Sequence, residues 1–341
     1  MTKVYVGMSG GVDSSLTAAL LVEQGFDVTG VYMKNWTQDL PGMKCPWADD
    51  LADAKRVAVQ LGIDFKVFVF ETEYKDKVVN YMIDEYKAGR TPNPDIMCNQ
   101  EVKFKLFLET ALEDGADLIA TGHYAQVENG VLKQAVDANK DQTYFLYRVT
   151  KDALNKTLFP LGGYTKPQVR EMAKERNLST AAKKDSQGIC FVGKIGIRDF
   201  LSEYVEQVPG DIINKQTGKA IGRHDGAIFY TPGQRHGLEL GGGLPYYVVG
   251  KNMDKNEVYV TTDLNDDTLW REEVELQELH WIDSTPIDGE YDIRIRHRAP
   301  LVKASLKGTH LSLTDAQRAV AAGQSVVIYD GDVCLGGGIV A

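Results

Sequence analysis

Short apolar runs alternate with helical stretches along the first part of the chain. Lys3 to Met8 reads as a short buried strand, and Ser14 to Gln24 as a helix with Leu16, Ala19, Leu20 and Leu21 on one side. Val28 to Met33 predicts a second strand, Asp49 to Leu61 a second helix, and Phe65 to Phe70 a third strand. Alternation at this spacing implies parallel pairing through right-handed crossovers. Helices over Asp76 to Lys87 and Val102 to Glu113, a strand over Asp117 to Thr121 and a helix over 165 to 177 continue the pattern. The fold class is therefore α/β with a doubly wound parallel sheet, and such sheets take ligands outside the carboxyl ends of their strands.

After about residue 205 the texture changes. Pro209-Gly210, Thr217-Gly218, Pro232-Gly233 and Gly241-Gly242-Gly243 punctuate short apolar runs. From Glu273 onward apolar and polar positions alternate, which points to short strands and a sandwich or barrel. The expected division is an α/β domain over 1–204, a small β-rich domain over 205–272 and a C-terminal β-barrel over 273–341.

Composition narrows the class. The chain is 43% hydrophobic and 25% charged, as in soluble globular proteins. No apolar window is long enough to span a membrane, and the N-terminus runs straight into a strand pattern with no signal-peptide features. A cytoplasmic protein is expected. Its four cysteines, Cys45, Cys98, Cys190 and Cys334, are scattered, so neither a disulfide scaffold nor a metal-ligand set is expected. The net charge of -10 argues weakly against nucleic acid, but basic residues cluster locally. Residues 164–184 hold six basic against two acidic residues, and residues 294–307 hold five basic residues and no acid. Each cluster reads either as a solvated face or as part of an RNA-binding surface.

Candidate chemistry begins at Gly7-Met8-Ser9-Gly10-Gly11-Val12-Asp13-Ser14-Ser15, between the first strand and the first helix. Adjacent glycines let the backbone approach a ligand, and the helix turns its positive end toward the same place. There is no Lys, so this is not a Walker A loop. The string resembles the pyrophosphate (PP) loop of the N-type ATP pyrophosphatases, an adenine nucleotide alpha hydrolase-like class that transfers AMP to a substrate oxygen.

Two cysteines lie in polar surroundings. Thr91-Pro92-Asn93-Pro94-Asp95-Ile96-Met97-Cys98-Asn99 precedes the helix expected from Val102, where a helix N-terminus favours the thiolate. Asp185-Ser186-Gln187-Gly188-Ile189-Cys190-Phe191 follows Lys183 and Lys184, whose charges are expected to do the same. Cys334, beside an apolar strand, reads as core, and Cys45 as a loop residue with no assigned chemistry.

Together with Tyr32 to Trp36, Ala120 to Tyr124, Lys140 to Gln142, Lys183 to Phe191, Thr231 to Leu238 and Val333 to Gly338, these stretches resemble the tRNA-specific 2-thiouridylases (the MnmA or TrmU family) over nearly the whole chain. The resemblance implies ATP and Mg2+, with Gly7, Met8, Ser9, Gly10, Gly11, Val12, Asp13 and Ser14 on the phosphates and Met33 and Gly122 beside the adenosine. Asp13 is a candidate influence on the metal. It implies that Asn93, Pro94 and Asp95 meet the target base, with Asp95 a possible acid or base. It puts His123, Lys140, Asp141, Gln142, Arg296, His297 and Gln324 on tRNA. Cys190 is implied to bear a persulfide, received from a cysteine desulfurase or a sulfur-relay protein, whose terminal sulfur either attacks C2 or is first released as sulfide, and Cys98 to be the nucleophile that attacks or resolves it. The implied target is the wobble uridine in the anticodon region of the tRNAs for Lys, Glu and Gln, whose C2 oxygen is adenylated and replaced by sulfur. A segment around Lys183 to Phe191 is expected to be mobile and to fold over the site. Rival readings are an amide or amidino ligase of the same ATP class, an ATP-sensing RNA-binding module, and a metal-cluster thiolase.

Overall fold

Val4 to Gly7 are buried on both faces, as the central strand of a covered parallel sheet must be. The computed structural model describes residues 1–40, 45–185, 190, 195–241 and 243–341. The chain opens with β1 (Lys3–Gly7), α1 (Val12–Glu23), β2 (Asp27–Lys34), α2 (Trp47–Leu61) and β3 (Asp64–Val69). A helical run follows, from α3 (Glu71–Tyr74) through an i→i+5 wound stretch (Lys75–Asn80) into α4 (Tyr81–Lys87). A second run passes from α5 (Pro94–Met97) through another such stretch (Cys98–Leu106) into α6 (Phe107–Glu113). Then come β4 (Leu118–Ala120), the hairpin β5 (Gln126–Glu128) and β6 (Val131–Lys133), α7 (Thr143–Leu146), α8 (Lys151–Asn155), β7 (Thr157–Leu158), α9 (Lys166–Glu175) and α10 (Ile197–Ser202). The parallel sheet runs β3-β2-β1-β4-β7.

One expectation is corrected here. The segment read as a loop before a helix at Val102 is helical from Pro94. Proline suits the first helical position, and the Asn93 side chain caps the helix by accepting from the Asp95 and Ile96 amides. Cys98 thus sits inside a helical run, not in a polar loop.

A four-stranded sheet of β8 (Gly210–Asn214), β9 (Ala220–His224), β10 (Tyr247–Asn252) and β11 (Glu257–Thr261) follows, in the order β10-β11-β8-β9. The last six strands are β12 (Trp270–Trp281), β13 (Gly289–Arg294), β14 (Val302–Lys307), β15 (His310–Arg318), β16 (Ser325–Asp330) and β17 (Val333–Val340). Antiparallel pairing of β12 with both β15 and β17 closes them into a barrel. Its interior is filled by Val274, Leu276, Ile293, Ala304, Leu306, Leu311, Val326 and Ile328.

The barrel is tied to the α/β domain by a buried polar joint. Asp141, expected at the tRNA, lies inside it with a side chain only 1% exposed. Its Oδ2 accepts from Arg294 Nη1 at 2.9 Å and from Thr143 Oγ1 at 2.8 Å, and its Oδ1 accepts from the Ala135 amide at 3.1 Å. Tyr144 donates to the carbonyls of Ile295 and Ser325 from the same face. Removing one partner of a buried ion pair strands the other, at a cost of about 3–5 kcal/mol. Arg294→Met is therefore expected to destabilise the joint by about that amount, read as a lower urea midpoint, while Lys303→Met, in an exposed pair with Asp292, leaves the midpoint nearly unchanged.

Candidate active site

The glycine loop is built to leave its amides open. Gly10 takes a left-handed φ of 71°, and a Cβ there would stand 2.3 Å from the Asp50 carbonyl, so glycine is required. Ser14 Oγ accepts from the Ser9 amide at 3.1 Å, and the hydroxyls of Ser14 and Ser15 both turn back to the Gly11 carbonyl. No side chain caps the N-terminus of α1, so its first amides face the loop mouth, the arrangement that binds phosphate. Three more expected residues close around it. A Cβ on Gly7 would meet Met33 Cε at 3.0 Å, and one on Gly122 would stand 2.9 Å from both the Asp13 carbonyl carbon and the Ser14 nitrogen. Met8, Val12 and Met33 are buried. Just beyond Met33, Asn35 is 1% exposed, yet neither polar atom of its amide has a partner. A buried amide open to a ligand at the carboxyl end of a central strand fits a nucleotide or nucleobase there.

Cations converge on the loop. Lys166 Nζ reaches both carboxylate oxygens of Asp13, at 2.7 and 2.8 Å, and Tyr124 donates to Asp13 Oδ1 at 2.9 Å. Lys166 also meets Asp185, as do Lys140 at 2.8 Å and Arg170 at 2.7 Å. Partial burial works against the Asp185 charge, but Lys140 and Lys166 hold its carboxyl down to about 2. Lys183 grips Asp50 and Asp53 at 2.7 Å each. Half of the six cations in the basic stretch 164–184, Lys166, Arg170 and Lys183, are thus engaged in pairs beside the phosphate loop, while Arg176 pairs with Glu23. With both oxygens on Lys166, Asp13 does not fit as a direct Mg2+ ligand, and among the described residues no cluster of His, Cys, Asp or Glu could hold a metal.

The two expected sulfurs meet. Cys98 Sγ lies 3.8 Å from Cys190 Sγ, with Cys98 fully buried and Cys190 partly exposed. The backbone of Cys190 is held from two sides: its amide donates to Asp95 Oδ1 at 3.2 Å, and its carbonyl accepts from the Tyr74 hydroxyl at 2.6 Å. Burial pushes the Cys98 thiol well up, which overturns the expectation of a helix-lowered thiolate there. Cys190 is held below the ordinary thiol range by the hydrogen bond from Cys98 and by Lys103, against its own burial. The helping charge is thus Lys103, not Lys183, whose ammonium is committed to Asp50 and Asp53. Burial also raises the Asp95 carboxyl, as suits a group that exchanges protons. The segment expected to fold over the site is described only in part. Lys183 to Asp185 and Cys190 are placed as above, while residues 186–189 and 191 lie outside the described residues.

The expected tRNA contacts divide. Lys140 stands at the loop mouth on Asp185. Gln142 turns inward, its Oε1 accepting from the Tyr124 amide at 2.9 Å. His123 is 8% exposed, packed against the rings of Phe104 and Phe159 and hydrogen-bonded to Thr121 at 2.7 Å. Burial lowers its pKa well below the ordinary histidine value, so the ring is a neutral core group rather than a surface contact. His297 packs on Phe145 with centroids 4.4 Å apart, Arg296 donates to the Ala319 carbonyl, and Gln324 accepts from the Ala321 amide at 3.2 Å. Asn99, next to Cys98, donates to the Phe145 carbonyl at 3.0 Å, so this corner of the barrel is tied to the cysteine helix. Among the described residues no helix is long and apolar enough to cross a membrane.

Fold and site define a nucleotide-binding α/β domain that carries a facing thiol pair, with two β-modules behind it. Residues 2–194 match the family described as tRNA methyl transferase HUP domain, 198–262 its PRC-barrel domain, and 271–340 the aminomethyltransferase beta-barrel domain. The chain is 47% identical to the tRNA-specific 2-thiouridylase MnmA of Bacillus subtilis (strain 168), over 99% of this chain and 95% of that one. It is 48% identical to the proteins of the same name from Bacillus thuringiensis (strain Al Hakam) and Bacillus anthracis, over 98% of this chain and 94% of theirs. The chain belongs to the tRNA-specific 2-thiouridylase family.

The close approach at Gly122 yields a test. Gly122→Ala drives a methyl group into the first turn of α1 and is expected to weaken binding of a fluorescent ATP analogue at least about tenfold, or about 1.4 kcal/mol. Gly163→Ala, with nothing within 4 Å, leaves binding unchanged.

Proposed function

We propose that this enzyme adenylates the C2 oxygen of the wobble uridine in the tRNAs for Lys, Glu and Gln and exchanges it for sulfur carried on Cys190. The observation that carries the reading is the 3.8 Å approach of Cys98 and Cys190, on the same domain as an uncapped phosphate loop. An amide or amidino ligase needs no such pair, and a metal-cluster enzyme needs clustered ligands.

ATP is a substrate. Gly7 to Ser14 hold its phosphates through backbone amides, and Lys166, Lys140 and Arg170 supply countercharge. Met33 and Gly122 border the adenosine. Mg2+ arriving with the nucleotide would supply further neutralisation of the pyrophosphate, and no described residue is assigned to hold it. The uridine O2 attacks the α-phosphorus, the α–β bond breaks, and the oxygen becomes part of a good leaving group, AMP. Asn93, Pro94 and Asp95 face the extruded base.

The sulfur step balances with the residues present. Cys190 first receives a sulfur atom from the persulfide of a cysteine desulfurase or relay protein. The outer sulfur of Cys190–S–SH gives its proton to Asp95, whose raised carboxyl suits the exchange, and attacks C2. AMP leaves. The Cys98 thiolate then attacks Cys190 Sγ, a Cys98–Cys190 disulfide forms, and sulfur departs with the uridine as the 2-thione. A dithiol reductant restores the pair. A disulfide needs about 2 Å between sulfurs, so the pair closes by roughly that distance from its present separation. Lys140, Arg296, His297 and Gln324 contact the anticodon arm. The tie from Asn99 through Phe145 to His297 supports this by placing the barrel corner beside the cysteine helix.

Unmodified tRNA incubated with ATP, Mg2+ and a persulfide source is expected to yield 2-thiouridine on digestion and mass spectrometry. Cys98→Ala and Cys190→Ala are each expected to lower the yield more than about a hundredfold, or about 2.7 kcal/mol, while tRNA-dependent pyrophosphate release survives. Formation of 4-thiouridine, or thiolation that persists in both variants, sinks the assignment.

A further inference from the structure

Side chains five residues apart on an ordinary α-helix point about 140° away from each other, since each residue turns the helix by about 100°. The stretch Cys98–Leu106 is wound differently: its i→i+5 pattern is continued where the Phe107 amide closes on the Val102 carbonyl. That winding brings residues five apart closer to one side of the helix, and such turns, rare in general, are frequent at functional sites. Cys98 and Lys103 are such a pair. The Lys103 ammonium hydrogen-bonds the Cys190 sulfur and acts electrostatically on Cys98 and Asp95 as well. A straight α-helix would carry the same lysine away from the sulfurs.

We propose that Lys103 is a catalytic residue of the sulfur relay: the i→i+5 winding of Cys98–Leu106 sets its ammonium against the Cys98–Cys190 pair, where it is the counter-ion of whichever sulfur carries negative charge. The inference rests on the function proposed above and names the group that favours the thiolate form of its sulfurs.

The groups facing Cys190 are Cys98 and Lys103 from the same helical run, Asp95 one turn earlier, and Tyr74 from the neighbouring run. Cys98 donates to the Cys190 sulfur, Asp95 opposes negative charge there, and the Tyr74 hydroxyl is committed to the Cys190 carbonyl. His123, beside Lys103, stays neutral through burial and the ammonium's own field. Burial alone would discharge Lys103, but the two sulfurs and Asp95 outweigh it and raise its pKa, so the ammonium persists where a lone buried lysine would be neutral.

In loading, the Cys190 thiolate attacks the outer sulfur of the donor's cysteine persulfide. A sulfur–sulfur bond forms at Cys190, the donor's breaks, and the donor cysteine leaves as its thiolate. In release, Cys98 must become the thiolate, and Lys103 stabilises that charge in turn. Protons pass through Asp95.

Alkylation by iodoacetamide, followed at the Cys190 peptide by mass spectrometry across pH without tRNA, reads the thiolate directly. Lys103→Met is expected to raise the pH midpoint by about one unit or more, slowing alkylation at neutral pH about tenfold. Lys103→Arg keeps the wild-type profile because it keeps the charge. A folded Lys103→Met protein whose profile matches wild type overturns the proposal. If that variant does not fold, Lys103→Gln makes the same comparison with the same deciding outcome. Pyrophosphate release with tRNA, measured on the wild-type preparation, tests the proposed function separately. Its absence from wild type overturns the thiouridylase reading and leaves the alkylation result to judge Lys103 alone.

Discussion

A sulfur sealed from water is a poor nucleophile, and Cys98 is sealed. The rest of the site answers that constraint. A thiolate in a low-dielectric pocket needs a partner charge within reach, and a helical stretch of unusual winding supplies one in Lys103. It also needs the second sulfur brought to it from a distant part of the chain. Tyr74 and Asp95 do this by holding the Cys190 backbone rather than its sulfur, which leaves the sulfur free for chemistry. Both holding groups lie on the helical runs flanking Pro92 and Asn93, so the capping that starts the second run also fixes the geometry of the pair.

What the sequence disclosed was whatever local pattern controls. The run from β1 through the glycine loop into α1 is legible because its strand is continuously apolar, its turn needs glycine and its helix has one apolar side. The six barrel strands are legible from their alternation. The start of the cysteine helix was not, because two prolines and polar neighbours read as a loop, whereas Pro94 and Asn93 are start signals for a helix. Lys103 was missed for a different reason. A spacing of five residues means divergence on a standard helix, and nothing local announces the altered winding. Arg294 was read within a basic cluster and Asp141 as a tRNA contact from the family resemblance, yet the two pair over a long range, which one-dimensional charge counting cannot see.

The acidic chain raises a question: how does it meet a polyanion when 48 acidic residues outnumber 38 basic ones? Near the phosphate loop the cations are kept in reserve. Asp185 collects Lys140, Lys166 and Arg170 around one carboxylate, with Asp13 sharing Lys166. These pairs are about a third exposed or less, so they are weakly screened and geometrically fixed. A phosphate entering at the end of α1 finds the positive charge already converged, and the carboxylates prevent a naked cation cluster from repelling itself when the site is empty. The same device explains why the basic stretch 164–184 and the net charge of -10 coexist.

Two thiols at hydrogen-bonding distance titrate together, and their ionisations belong to the pair. Ionisation of the pair favours Cys190, with Cys98 as its proton donor. Capture of a sulfur atom changes that balance. The inner sulfur of a persulfide is bonded twice and no longer accepts the Cys98 proton as a thiolate does. Burial still favours the protonated Cys98, but the hydrogen bond that adds to it is lost at the moment Cys190 is loaded, while the Lys103 ammonium remains. Loading itself thus lowers the barrier to ionising Cys98, and the resolving nucleophile becomes available only after there is something to resolve. Order in the reaction follows from electrostatics within a few ångströms, with no separate switch.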